Sequence, residues 1–303
     1  MSEGYREHAV HFGPAEGLLG IVCTPARPRA DSSPVILMNP GTLHHVGVSR
    51  LNVRLARRLA AGGVASVRFD FSGLGDSEPR QDGLAYRDSA VDELRWAMDM
   101  LHEETGSRSF VLCGLCTGAA MSFEAAVADE RVVGATLIEG YAYPTAQYRV
   151  RRWVPEIRNP DSWYGLLTGR TFLQPALRRL RRSLRDGGVE HEARLYSAVF
   201  AYDLPAKPYV REGLERLIAR GVRLLLIFGG GEHHYYNYRA QFLDAFPGLD
   251  FGDLLELEHL PTADHIFSSL PIQAWLDARI ERWLMALQDR RYADASARTA
   301  SSP

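Results

Sequence analysis

The chain has 303 residues, 46% hydrophobic and 24% charged, with a formal net charge of −2, so it can bury a large core and does not carry the basic surface expected of a nucleic-acid binder. No apolar run reaches the roughly 18 residues of a membrane span, and Met1–His8 lacks the basic-then-apolar pattern of a secretory signal, so a cytoplasmic protein without membrane attachment is expected. Three cysteines, Cys23, Cys113 and Cys116, are too few and too clustered for a disulfide framework and are expected to be reduced.

In chain order, His8 to Thr24 reads as one or two antiparallel edge strands, with Glu16-Gly17 as a turn. Short apolar, β-branched runs follow at Pro34–Asn39, Ala65–Phe71, Ser109–Leu115, Val132–Glu139, Val222–Gly229 and Asp253–Leu260. Amphipathic helical patterns lie between most of them, at Arg50–Ala61, Ala85–Glu104, Thr117–Ala128 and Arg211–Ala219. Strand–helix alternation of this kind predicts an α/β fold with a doubly wound, mostly parallel sheet. The core is expected to comprise residues 1–143 and 206–288. Residues 144–205 break the rhythm with prolines and helical patterns but no convincing strand, and are read as an inserted helical cap over the strands' carboxyl ends. Residues 289–303 are small and polar and are expected to fray.

The charge is uneven. Arg178, Arg179, Arg181, Arg182 and Arg185 crowd the insertion, with Arg149, Arg151, Arg152 and Arg158 upstream. A solvated helix face and an anion-attracting surface both fit that pattern.

The most informative segment is Phe110-Val-Leu-Cys-Gly-Leu-Cys-Thr-Gly-Ala-Ala120, where a strand runs into a helix through a cysteine flanked by glycines. It reads as a nucleophile elbow with sulfur in place of the usual serine oxygen. The turn is so tight that side chains two residues either side of the nucleophile would collide, which accounts for Gly114 and Gly118. Cys116 would then stand exposed at a helix N-terminus, where unpaired N–H groups favour a charged sulfur and offer a donor to an oxyanion. A cysteine nucleophile needs a base, and the base needs a group that fixes its tautomer. His265, in the loop after the last strand, suits the first role. Glu232, just beyond the strand Val222–Gly229, suits the second; Asp203, Asp253 and Asp264 compete for it, and Asp264, adjoining the histidine, is better suited to supporting the loop.

Cys113 and Cys116 also form C-x-x-C between a strand and a helix, the pattern of a thioredoxin-like redox pair. That chemistry calls for neither Gly118 nor His265, and a strand-end core thiol is the plainer reading of Cys113. His44-His45 and His233-His234, with Glu232, supply enough ligands for a metal but match no zinc spacing, so no metal and no cofactor is expected. The histidine pairs fall in predicted mouth loops, and His44, His233, Tyr235 and Tyr141 are expected to contact substrate. The aromatics Tyr148, Trp153, Trp163, Tyr164, Tyr236 and Tyr238 suit either a pocket wall or the core.

The elbow together with the order Cys, Glu, His resembles the α/β-hydrolase superfamily over roughly Leu18 to Leu287. Met38-Asn-Pro-Gly-Thr-Leu43 looks like that superfamily's oxyanion loop, Arg68-Phe-Asp-Phe-Ser-Gly-Leu-Gly-Asp-Ser77 like the turn after its next strand, and Ala263-Asp-His-Ile-Phe267 like its histidine loop. Within the superfamily the chain looks closest to the dienelactone hydrolase and serine-aminopeptidase-like group, and the Gly-Leu-Cys-Thr-Gly elbow is similar to that of cysteine-elbow hydrolases found beside exopolysaccharide and natural-product pathways. The resemblance implies Cys116 as nucleophile, His265 as general base and then acid, Glu232 as orienting carboxylate, and an oxyanion hole from the N–H of Thr117 with that of Thr42 or Leu43. The chain departs from the common pattern at Asn39-Pro40, Ser72 and Glu232, where many relatives carry His-Gly, arginine and aspartate.

The expected chemistry is cleavage of an ester or thioester through an acyl-cysteine intermediate. An acyltransferase that moves the acyl group to an alcohol or amine stays open, because a thioester reacts readily with both; the arginine-rich insertion would suit an acyl carrier protein or a coenzyme A thioester. A noncatalytic binding protein of the same fold is the third reading.

Overall fold

The computed structural model describes residues 4–84, 86–158, 204–230 and 236–300. Eight strands form one sheet: β1 (Tyr5–Phe12), β2 (Leu18–Pro25), β3 (Val35–Met38), β4 (Ser66–Phe69), β5 (Phe110–Leu115), β6 (Val132–Ile138), β7 (Arg223–Gly229) and β8 (Leu255–Leu260). Their spatial order is β1-β2-β4-β3-β5-β6-β7-β8. The β1–β2 and β2–β4 pairs are antiparallel and all later pairs are parallel. The six parallel strands and the antiparallel N-terminal edge are therefore as the sequence pattern predicts.

Central strands of such a sheet are covered on both faces, and their alternation divides the core in two. Phe110 and Leu112 of β5 join one apolar cluster, while Val111, Cys113 and Leu115 join the other; β7 splits likewise, with Leu224, Leu226 and Phe228 against Leu225 and Ile227. The first cluster packs beneath α2 (Tyr86–Thr105), α3 (Thr117–Ala128) and α5 (Lys207–Ala219); the second packs beneath α1 (Leu51–Ala61) and α7 (Leu270–Ala300). Helix α5 begins a turn earlier than predicted, because Pro208 occupies its first turn, where a missing N–H costs nothing.

Of the insertion, the described residues include α4 (Ala146–Arg158); residues 159–203, with Arg178, Arg179, Arg181, Arg182, Arg185, Asp203, Trp163 and Tyr164, lie outside them. A short α6 (Gln241–Ala245) precedes β8. The tail departs from expectation, since α7 continues through Ala300. Long-range contacts hold its middle against the sheet: Gln288 accepts from Ser33 N–H at 2.8 Å and donates to Ser33 O at 2.9 Å, and Arg291 donates to Ser109 Oγ at 2.9 Å. Beyond them the alanine content favours continued helix. Among the described residues no helix is long and apolar enough to cross a membrane.

Candidate active site

At the carboxyl end of β5, Cys116 takes φ 57° and ψ −117° and serves as N-cap of α3. Positive φ at a residue with a Cβ is strained by about 1–3 kcal/mol and persists only where neighbours enforce it. Here Cys116 N–H donates to Ile138 O at 2.8 Å and Ala120 N–H donates to Cys116 O at 3.1 Å. The glycines are needed for close approach: a Cβ on Gly114 would lie 2.3 Å from the Gly118 carbonyl, and one on Gly118 would lie 2.7 Å from Asn39 O. The second contact puts the loop after β3 directly against the elbow. Gly41 N–H then donates to Thr117 Oγ1 at 2.5 Å. Leu43, an expected oxyanion donor, has its N–H engaged by Pro40 O at 3.2 Å within the turn, which leaves Thr42 as that turn's candidate.

His265, in the β8–α7 loop, is hydrogen-bonded to Cys116, and this bond, with Glu139 behind it, outweighs burial and pushes the imidazole pKa up to about 10. The interactions of the ring with the Cys116 sulfur and the Glu139 carboxylate both favour its charged form. Asp264 braces the loop by accepting from Ser268 N–H at 2.8 Å and from the Ser268 hydroxyl, bonds that hold its carboxyl below the usual range.

Among the described residues, the carboxylate nearest the histidine ring is Glu139, at the carboxyl end of β6. Its Oε2 lies 3.6 Å from His265 Nδ1, an electrostatic contact longer than a formed hydrogen bond. Glu139 also has positive φ, 52°, its N–H donates to Ile227 O at 2.9 Å, and its Oε1 accepts from Gly229 N–H. Gly229 makes the convergence sterically feasible, since a Cβ there would lie 2.9 Å from both Glu139 Oε1 and Ala263 O. His259 lies within the field of Glu139, but burial lowers its pKa and keeps it neutral, so it does not compete as a cation. Glu232, His233 and Tyr235 lie outside the described residues.

The remaining expected site residues separate. His44 is exposed, with its ring 5.1 Å from that of His45. Tyr141, expected to contact substrate, is instead buried, with its hydroxyl donating to Glu124 Oε1 at 2.6 Å. Tyr236 is core, stacked 3.9 Å from Phe228, and Tyr148 and Tyr238 are buried too. Asp253 is exposed and paired with Arg223. Cys113 is buried in β5 and burial pushes its thiol up to about 12, which removes the reactive thiolate that a redox pair requires.

The fold has many solved counterparts. A dienelactone hydrolase from Anabaena variabilis aligns at 16% identity over 93% of this chain and 98% of its own, with a TM-score of 0.56. An esterase from Pyrococcus furiosus aligns at 12% identity over 92% and 90%, with a TM-score of 0.57. A proline iminopeptidase from Mycobacterium smegmatis aligns at 18% identity over 96% and 100%, with a TM-score of 0.51. The protein has the α/β-hydrolase fold. The family model for serine aminopeptidase, S33, matches residues 30–161 of this α/β-hydrolase-fold chain, a stretch that contains the elbow and Glu139. No curated protein matches the chain in a sequence search.

Proposed function

We propose that the protein is a cysteine-dependent hydrolase of an ester or thioester, with Cys116 as nucleophile, His265 as acid and base, and Glu139 as the carboxylate behind the histidine. The observation that carries this reading is the strained Cys116 backbone with the His265 ring bonded to its sulfur and Glu139 3.6 Å beyond. A positive-φ cysteine enforced by its neighbours at a strand-to-helix turn, with a histidine on its sulfur, supports a functional use of that strain.

In the first step the Cys116 thiolate adds to the substrate carbonyl, and the N–H groups of Thr117 and Thr42 receive the oxyanion. The tetrahedral adduct collapses, the bond to the leaving oxygen or sulfur breaks, and imidazolium His265 gives that atom its proton. An acyl-cysteine remains. His265, now neutral, takes a proton from water as the water oxygen attacks the acyl carbon; the C–S bond breaks, the acid departs, and the thiolate–imidazolium pair is restored. Glu139 holds the ring's orientation and favours its charged form throughout.

An acyltransferase is the second reading, supported by sulfur as nucleophile and by the exposed Arg149, Arg151 and Arg152 on α4, which would attract coenzyme A or an acyl carrier protein. Turnover of a labelled acyl thioester in the presence of water, an alcohol and an amine tests both. Free acid as the product supports hydrolysis, and ester or amide as the main product supports transfer. No turnover with any aryl ester or thioester, and no acyl-protein, would leave the noncatalytic reading instead.

A further inference from the structure

The turn Arg68-Phe-Asp-Phe-Ser-Gly-Leu-Gly-Asp-Ser77 takes no part in the steps above, yet its Asp70 is fully buried. A carboxylate in that setting is costly unless several donors reach it. Four do. Oδ1 accepts from the His45 backbone N–H at 2.5 Å and from Asn39 Nδ2 at 3.4 Å; Oδ2 accepts from the Asp76 N–H at 3.1 Å and lies 3.0 Å from His45 Nδ1. The turn wraps so tightly that a Cβ on Gly75 would lie 2.2 Å from Oδ2.

Three of those donors, one from Asn39 and two from His45, belong to the ends of the oxyanion turn. Asn39 is its first residue, buried, donating also to Phe69 O at 3.2 Å and accepting from Asn52 Nδ2 at 2.8 Å. His45 closes it. Between them Gly41 is tied to Thr117 and Leu43 to Pro40. Thr42 therefore sits in a segment held at both ends by one buried carboxylate. We propose that Asp70 is a positioning residue, fixing through Asn39 and His45 where the Thr42 amide points; the claim rests on the oxyanion role given to that amide above.

His44, His45 and Asp70 have ligand atoms within 4.8 Å of one another, a composition that could also attract a cation. Positioning is favoured because both Asp70 oxygens are already engaged by the chain, and a cation would have to displace His45 from them.

The test compares two reactions of one sulfur in the full-length protein. Acylation by a p-nitrophenyl ester builds an oxyanion; alkylation of Cys116 by iodoacetamide does not. Asp70→Asn turns an acceptor into a donor facing the His45 N–H, and is expected to slow acylation by about 10- to 100-fold with KM little changed, while alkylation stays within about twofold. His45→Gln is expected to act in the same direction by a smaller factor. Hydrogen exchange across residues 39–45 is expected to quicken in Asp70→Asn. An unchanged acylation rate, or parallel loss of both reactions, overturns the proposal. Should the unaltered protein alkylate at Cys116 but never acylate, the hydrolase reading fails separately, and unchanged exchange across 39–45 would then overturn the positioning role by itself.

Discussion

Cys113 and Cys116 are three residues apart on the same strand and turn, and they occupy opposite chemical worlds. Cys113 lies inside β5, packed with Val111 and Leu115, and burial pushes its thiol up to about 12. Cys116 lies one residue past the strand, at a helix N-terminus, in a strained backbone state and bonded to His265. Position separates the two: the same side chain is a core filler where the sheet is continuous and stands beside a histidine where the sheet ends.

The largest effect that could break this contrast comes from Cys116→Ala, which should abolish turnover of an aryl ester or thioester above the uncatalysed rate. Retained turnover would move the chemistry elsewhere. His265→Gln should lower kcat/KM by about 10³-fold, the usual scale for loss of a general acid and base, as read by initial rates on the same ester. Glu139→Gln keeps the size but removes the charge behind the ring, and should cost about 10²-fold, while a variant at Glu232 separates the two strand-end acids by the size of its own loss.

The fold was largely legible because strand and helix periods were strong: every parallel strand lies where an apolar run had been read. Cys116 and His265, which the structure brings together, were legible as candidates because each sits beside a local signature, glycines for one and a post-strand loop for the other. The acid was harder. Glu139 and Glu232 both follow neighbouring strands in the sequence; Glu232 lies outside the described residues, and the packing of Gly229 against Glu139 and the histidine loop brings Glu139 to the ring. The signal for Glu139 was present, an acidic residue closing the strand beside the nucleophile strand, but the resemblance favoured the next strand along. The engagement of Leu43 with Pro40 and of Tyr141 with Glu124 depends on turn geometry and tertiary contact, which the sequence does not display. The middle of the last helix is likewise tied to Ser33 and Ser109, residues over 180 positions away.

A pH titration sharpens the contrast. The folded pKa of His265 is raised from 6.5 to about 10, so its pairing stabilises the fold fully below about 6.5 and that stability is lost as pH rises through about 10. Thermal unfolding should therefore show a fall in Tm over this window that is absent in His265→Gln, and kcat/KM should fall near pH 10 as the proton for the leaving group is lost. Cys113→Ala should have the smallest effect on chemistry: kcat within about twofold of the unaltered protein, with a stability loss of about 1 kcal/mol in urea unfolding from the small cavity left in the core.

The most direct measurement is the location of the acyl group during turnover. The protein is mixed with a slowly hydrolysed aryl ester, quenched in acid, weighed intact and mapped by peptide. The account predicts one acyl mass on the peptide containing Cys116, present in Cys113→Ala and absent in Cys116→Ala. An acyl group carried by another residue, or turnover with no acyl-protein under conditions where deacylation is slow, would contradict it.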